Sequence, residues 1–328
     1  MSLRIGLVYD LRKEYLAAGY SEEQVAEFDS EETIDAFDKT LRSLGHEVQR
    51  IGNARALCVR LVAGERWDLV FNIAEGVSGR SREAQVPCIL EVYGIPYTFS
   101  DPLVSAVTMD KAIAKRLVRE AGLNTPDFLV VRQLADLRDC RLRFPLFAKP
   151  IAEGTGKGID QNSYIESMQE LETTCQELLA RFKQPVLVEE FLPGREFTVG
   201  ITGTAEKARV IGTMEVEVLH GIEGNIYSFD IKENYEKHVR YTPLIDLILR
   251  REVEKLALDA YLTLGCRDAA RTDIRIDSAG RPSFMEINTL PGLHPVRSDL
   301  PMIATQEGMS YGDLIGAIIS SAMQRMTE

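Results

Sequence analysis

The chain lacks any long apolar run. None of its 328 residues fall in a stretch approaching the length of a membrane span, and the opening MSLRIGLVYD passes straight from a short apolar run to charge with no cleavage signal. A cytoplasmic protein is therefore expected. Positive charge is also short, with 38 Lys and Arg against 50 Asp and Glu and a net charge of -12. A broad nucleic-acid surface or an anionic membrane is excluded as the expected partner, because both select clustered cations; a local anion site is not. Cysteine is sparse: Cys58, Cys88, Cys140, Cys175 and Cys266 are odd in number, far apart and without C-x-x-C spacing, which suits reduced thiols better than disulfides or zinc ligands. A Ser/His/Asp or Cys/His constellation is absent too. The first strand-like run, Leu3 to Tyr9, is followed by Asp-Leu-Arg-Lys where a dinucleotide fold would carry Gly-x-Gly-x-x-Gly.

What is present is a globular composition, 45% apolar and 27% charged, with a length that allows two or three domains. In the first hundred residues strand and helix patterns alternate. Leu3 to Tyr9, His46 to Ile51 and Asp68 to Ile73 read as strands. Ser30 can cap a helix that Gly45 stops near Leu44, Ala54 to Ala63 reads as a second helix, and Arg82 to Tyr93 as a third. This order predicts a parallel sheet covered on both faces, with ligands at the carboxyl ends of its strands. Further on, Met109 to Ala121 reads as one helix, and Thr242 to Leu264 as another with Thr242 as cap and Pro243 in its first turn. A last helix starts at Tyr311.

The densest signal lies between Cys266 and Pro301. Arg271, Asp273 and Arg275 alternate with Thr272, Ile274 and Ile276, and Glu286 and Asn288 alternate with Met285 and Ile287. A hairpin closed at Asp277-Ser278-Ala279-Gly280 sets all these polar residues on one face, with Arg271 near Glu286 and Asp273 near Phe284 or Glu286. Two carboxylates and an amide crowded together call for a positive partner. A hard divalent cation such as Mg²⁺ takes such oxygen donors together with substrate phosphates; a solvated face with the arginines pairing the acids is the other reading of the same spacing.

A second signal is Glu153-Gly154-Thr155-Gly156-Lys157-Gly158, directly after the short strand Pro145 to Pro150 that carries Lys149. Glycines there let backbone amides approach a phosphate. The loop is not a Walker A loop, since Gly158 follows Lys157, and a plain glycine turn is the alternative.

Taken together, Arg-x-Asp, then Glu-Ile-Asn-Thr-Leu-Pro-Gly, then Ser-Asp-Leu-Pro resembles the carboxy-terminal signature of the ATP-grasp ligases, most closely the D-alanine:D-alanine ligases. The resemblance extends over nearly the whole chain after about Asp68. It implies an α/β fold in three units, near 1–102, 103–190 and 191–328. The activity it implies is an ATP-dependent carboxylate-amine ligase working through an acyl phosphate, with ATP and a magnesium pair, Mn²⁺ being an alternative. Asp273, Glu286 and Asn288 would hold the metal, and Arg271 with the Gly292 amide would hold an oxyanion. Lys111, Lys149, Lys232 and the loop Glu153, Gly154, Thr155 and Gly156 would meet the phosphates. Glu189, Glu190 and Leu192 would flank the adenine, and Glu196 the ribose. Amino-acid or carboxylate substrates and a homodimer are likewise implied. An ATP-binding homologue without ligation is the competing reading, against which stands the complete metal set.

The resemblance also shows departures. Leu11-Arg12-Lys13 stands where the family has a Gly-Gly turn leading to a glutamate, Glu75 replaces its histidine, and Thr155 and Glu233 replace its serine and tyrosine. The family's polar latch on the first substrate is broken, so a first substrate other than D-alanine is expected. Arg80 and Arg82, at a strand end and helix start, are candidates for gripping a substrate carboxylate; an exposed cluster paired with Glu83 is the alternative. Arg297 or Ser298 would hold the carboxylate of the amine substrate.

Overall fold

The alternating patterns of the first hundred residues form a parallel three-stranded sheet in the computed structural model, which describes residues 2–218 and 239–326. Strands β1 (Arg4–Tyr9), β2 (Glu47–Gly52) and β3 (Leu69–Ile73) lie in the order β2-β1-β3, every pair parallel. Ser30 caps helix Glu31–Ser43 by accepting from Thr33 N, and Gly45 takes φ +88 beyond its end, the left-handed step that glycine makes at least cost. The sheet is covered on both faces. One face packs on Ile34, Phe37 and Leu41 together with Leu314, Ile315 and Ile318 of the last helix, Tyr311–Gln324, so the two ends of the chain share one core. Leu57, Leu61 and Leu90 pack on the other.

Two antiparallel sheets complete the fold. The first, in order β4-β7-β5-β6, contains β4 (Phe128–Val131), β5 (Leu146–Pro150), β6 (Tyr164–Ile165) and β7 (Val186–Glu190). The second, in order β10-β9-β8-β11-β12, contains β8 (Glu196–Thr202), β9 (Arg209–Val218), β10 (Val239–Pro243), β11 (Ala269–Ile276) and β12 (Pro282–Asn288).

Local differences from the sequence patterns have physical causes. The expected helix Thr242–Leu264 starts later: Val239–Pro243 is an edge strand, with Pro243 opposite Met214, and the helix runs Leu247–Thr263 with Asp246 as cap. Proline is tolerated at the end of an edge strand as well as in a first helical turn, and Asp246 is the better cap because it accepts from both Ile248 N and Leu249 N. The expected helix Met109–Ala121 is two helices, Pro102–Met109 and Lys111–Glu120. They meet at Asp110, whose extended backbone ends the first and whose carboxylate caps the second through Ile113 N. In the hairpin, Arg271 pairs with Asn288 rather than Glu286, Asp273 pairs with Glu286, and a bulge follows, so that Ile274 pairs with Phe284.

Candidate active site

The last hairpin and the β4-β7-β5-β6 sheet meet through charge. Glu286 on β12 accepts from Lys149 on β5 at 3.4 Å and lies 3.7 Å from Lys111, the first residue of its helix. Burial alone would raise the Glu286 pKa, but the two lysines and Arg271 hold it below the usual carboxylate range. Lys149 also pairs with Glu189 at 3.2 Å, and Glu189 with Lys115 at 2.9 Å. A file of alternating charges thus runs from Lys111 inward to Lys115, where Lys115 and Glu189 are 0% and 1% exposed. Lys115 is a residue the sequence reading missed. Its signal was the spacing Lys111 to Lys115, which puts both on one helix face.

Across the hairpin, Arg271 is braced by two carboxylates, Asp299 at 2.7 Å and Asp273 at 2.9 Å, while its Nε is buried with no acceptor. Asp299 is a second residue that sequence reasoning did not single out. Asp273 faces Glu286 across the strands and Asn288 sits one step along. Their donors are hard oxygens, as Mg²⁺ prefers. No cluster of three His, Cys, Asp or Glu side chains able to hold a metal occurs among the described residues, so an ion here would be completed by the Asn288 amide, water and phosphate oxygens. The set fits such an ion together with an anionic ligand: Lys111, Lys149 and Arg271 now compensate Glu286 and Asp273, and a phosphate chain would draw those cations off and leave the carboxylates to the metal. Gly292 lies beside Ser298: a Cβ at position 292 would come 2.8 Å from the Ser298 Oγ. Ser298 Oγ accepts from His294 N, and Arg297 is exposed beside it.

The glycine loop returns toward this hairpin. Lys111 donates to the Glu153 carbonyl at 2.5 Å, and Thr155 and Gly156 take positive φ of 55° and 71°. Other expected site residues are engaged elsewhere. Glu190 binds Arg143 at 3.3 Å at the strand edge, and Glu196 lies 3.5 Å from Arg275. Leu192 is buried. The joint grip expected of Arg80 and Arg82 does not form. Arg80 bonds the helix cap Asp110 at 2.5 Å, whereas Arg82 is buried, donating to the Ala152 carbonyl at 2.9 Å and to Glu27 at 3.1 Å. Neither pairs with Glu83, because the helix start folds Arg82 inward. Lys232 and Glu233 lie outside the described residues.

A cavity of about 340 Å³ joins these pieces. Lys111, Glu153, Gly154, Thr155, Arg271, Glu286, Asn288, Gly292, Arg297 and Ser298 line it. Lys149, Asp273 and Glu189 stand behind that lining, linked to it through Glu286 and Arg271. Its far wall, from the first sheet's loops, carries Asp29, Glu75 and Glu83. Burial pushes the Asp29 pKa up to about 8, with Asp10 adding to it, and Glu83 up to about 7 despite Arg82. Glu75 is raised too, by burial and then by Glu83. The folded chain therefore retains protons that the unfolded chain, titrating at roughly pH 4, releases. That stability is fully present below about pH 4 and is lost as pH rises toward 8. Asp29→Asn is expected to flatten the fall in urea midpoint between pH 5 and 8. Parallel profiles for the variant and the wild type would show that Asp29 ionises normally.

The chain is similar to known proteins in sequence and in fold. Residues 117–320 match the family described as "D-ala D-ala ligase C-terminus". The chain is 34% identical over 290 residues to a D-alanine--D-alanine ligase of Aquifex aeolicus, covering 88% of this chain and 94% of that protein. It is also 34% identical over 259 residues to an uncharacterized protein of Sinorhizobium fredii, covering 78% and 75%. Among solved structures, the D-alanine--D-alanine ligase of Bacillus anthracis complexed with ATP superposes with a TM-score of 0.72 at 23% identity, covering 98% of both chains. The VanG D-Ala:D-Ser ligase of Enterococcus faecalis does so at 0.75 and 21%, covering 98% of this chain and 100% of that one. These two share the fold.

Proposed function

The chain belongs to the D-alanine–D-alanine ligase family of ATP-grasp proteins, and on that premise we propose that the cavity beside the hairpin joins a carboxylate to an amine. The protein is an ATP-dependent, ADP-forming carbon-nitrogen ligase that uses Mg²⁺. The observation that carries the assignment of its site is the Lys111–Glu286–Lys149 bridge between the sheets. It stores two cations and a carboxylate at one point, ready to exchange partners when a phosphate chain and its metal enter.

In this reading the γ-phosphoryl group passes to the carboxylate of the first substrate, and the amine then displaces phosphate. Lys111, Lys149 and the amides of Glu153 to Gly156 hold the phosphates. Lys232 belongs to the same proposed set. Asp273, Glu286 and Asn288 would hold Mg²⁺, which would supply positive charge to the phosphoryl oxygens. Arg271 is oriented by Asp273 and Asp299, so its buried, unspent Nε and the Gly292 amide serve the oxyanion. The carboxylates of Glu189 and Glu190 are held by lysine and arginine, and Glu196 faces Arg275 more loosely at 3.5 Å, so Leu192 and Glu196 are assigned to the nucleoside.

An ammonium group among Asp29, Glu75 and Glu83 would let these carboxyls give up the protons that burial makes them keep, so the wall suits an amine-bearing first substrate and not a second carboxylate, and Arg297 with Ser298 suits the carboxylate of the second. The proposal is an amino-acid ligase with a first substrate other than D-alanine, acting as a cytoplasmic homodimer on small molecules. With ATP, Mg²⁺ and D-alanine alone, phosphate release is expected to stay near the no-substrate background, while a panel of other amino acids raises it. Robust formation of the D-alanyl dipeptide would refute the substrate reading and leave the ligase reading standing.

A further inference from the structure

We infer that Glu27 is a positioning residue that sets the phosphate-facing glycine loop from the first, parallel-sheet unit and ties it to the wall of the substrate cavity. The inference rests on the reading of that loop as the phosphate cradle. Glu27 is distant in sequence from the loop, yet its Oε2 accepts from Lys157 Nζ at 2.8 Å and from Arg82 Nη2 at 3.1 Å. The three side chains are only 7 to 10% exposed. Each cation has a second anchor on the loop: Lys157 pairs with Glu153 at 2.8 Å, and Arg82 donates to the Ala152 carbonyl at 2.9 Å. The other oxygen of Glu27 occupies the space that a Cβ at Gly154 would need. That glycine is therefore required by the approach of Glu27 as well as by any phosphate.

The physical need for such a tether is local. Thr155, Gly156 and Gly158 all take positive φ, and a glycine-rich loop has many competing conformations of similar energy. A buried ion triad selects one of them, because each charge left alone there would be costly. Burial alone would raise the Glu27 pKa, but Arg82 and Lys157 hold it down at about 2, so the carboxylate stays charged over the physiological range. The neighbouring Phe28 and Asp29 line the same cavity as Gly154 and Thr155. A substrate that shifts this segment thereby shifts the loop.

The test uses the full chain with Glu27→Gln and Lys157→Met. Binding of a non-hydrolysable ATP analogue with Mg²⁺ is followed by calorimetry, hydrogen exchange of residues 153–158 is measured without nucleotide, and kcat and KM for ATP are separated in the phosphate-release assay. Each variant is expected to keep a cooperative melt, to weaken the analogue and raise KM for ATP about 10- to 100-fold with a smaller change in kcat, and to exchange the loop amides about tenfold faster. The conservative variant Lys157→Arg, which keeps a cation between Glu27 and Glu153, should recover most of the loss, and a rise in KM for ATP that exceeds the change in kcat is what a merely structural role would not produce. Wild-type affinity and wild-type loop exchange in folded Glu27→Gln would overturn the inference. If the wild-type chain itself fails to bind the analogue, the ligase reading falls, and loop exchange alone still decides whether Glu27 sets the loop. Should Glu27→Gln not fold, Gly154→Ala takes its place: a methyl that displaces the carboxylate must raise KM and loop exchange similarly, and unchanged values would count against the role.

Discussion

Glu286→Gln is expected to lower turnover by about three orders of magnitude or more while the protein still melts cooperatively. The amide keeps the shape of the side chain and loses its charge, and charge is what the site uses. Glu286 lies opposite Asp273 on β11 and between Lys111 and Lys149. Its lysine pairs hold it ionised, so it presents full negative charge to a metal at any working pH. A neutral amide in its place weakens both the ion and the alignment of the two lysines, and metal charge at a phosphoryl group is worth several kcal/mol in the transition state. Fold retention is expected because Glu286 sits at the cavity, 26% exposed, where the freed lysines can take water. Phosphate release and melting on the same sample make the check. Near-normal release at ordinary magnesium would remove the hairpin as the metal site.

Lys115→Met is expected to be the reverse case, a large loss of stability at a residue behind the cavity. Lys115 donates to Thr125 Oγ1 and the Phe284 carbonyl, both at 3.2 Å, and pairs with Glu189 at 2.9 Å. Burial pulls its pKa down to about 8 even against the attraction of Glu189. Removing it leaves Glu189 with Lys149 alone, and stripping one partner from a buried pair costs about 3–5 kcal/mol. The double change Lys115→Met/Glu189→Met should recover part of that, because the under-compensated carboxylate leaves with its partner while Lys149 keeps Glu286. Urea denaturation decides it: a single variant within a few tenths of a kcal/mol of wild type would show that Lys149 suffices for Glu189.

The contrast between these two glutamates marks how far the sequence can be read. At Glu286 the alternation of charge along two short strands and the turn residues between them were enough to bring Asp273, Glu286 and Asn288 to one place, because side-chain direction in a strand is a local property with a period of two. At Glu189 the family resemblance, not a local pattern, implied an adenine contact, and the side chain lies closed between Lys115 and Lys149. Its partners come from a helix and a strand far away in the chain, and no local period encodes that meeting. Arg80 and Arg82 show the same limit. One short turn sends Arg80 to Asp110 and folds Arg82 under Ala152, so two arginines two positions apart serve different partners.

By itself the sequence determined the parallel first sheet, its caps and left-handed glycine steps, the hairpin with its metal-suited donors, the glycine loop after Lys149 and the family to which they belong. Each of these rests on interactions within a few residues or on a motif of fixed order. Only the tertiary structure decided which charges are spent and which are available. It consumed Arg82 and Lys157 on Glu27, braced Arg271 between Asp273 and Asp299, and gathered Asp29, Glu75 and Glu83 into one wall. The reason is electrostatic: a charge in a low-dielectric interior takes its state from whatever lies within a few ångströms, and chain topology places those neighbours across gaps in sequence that no local pattern spans.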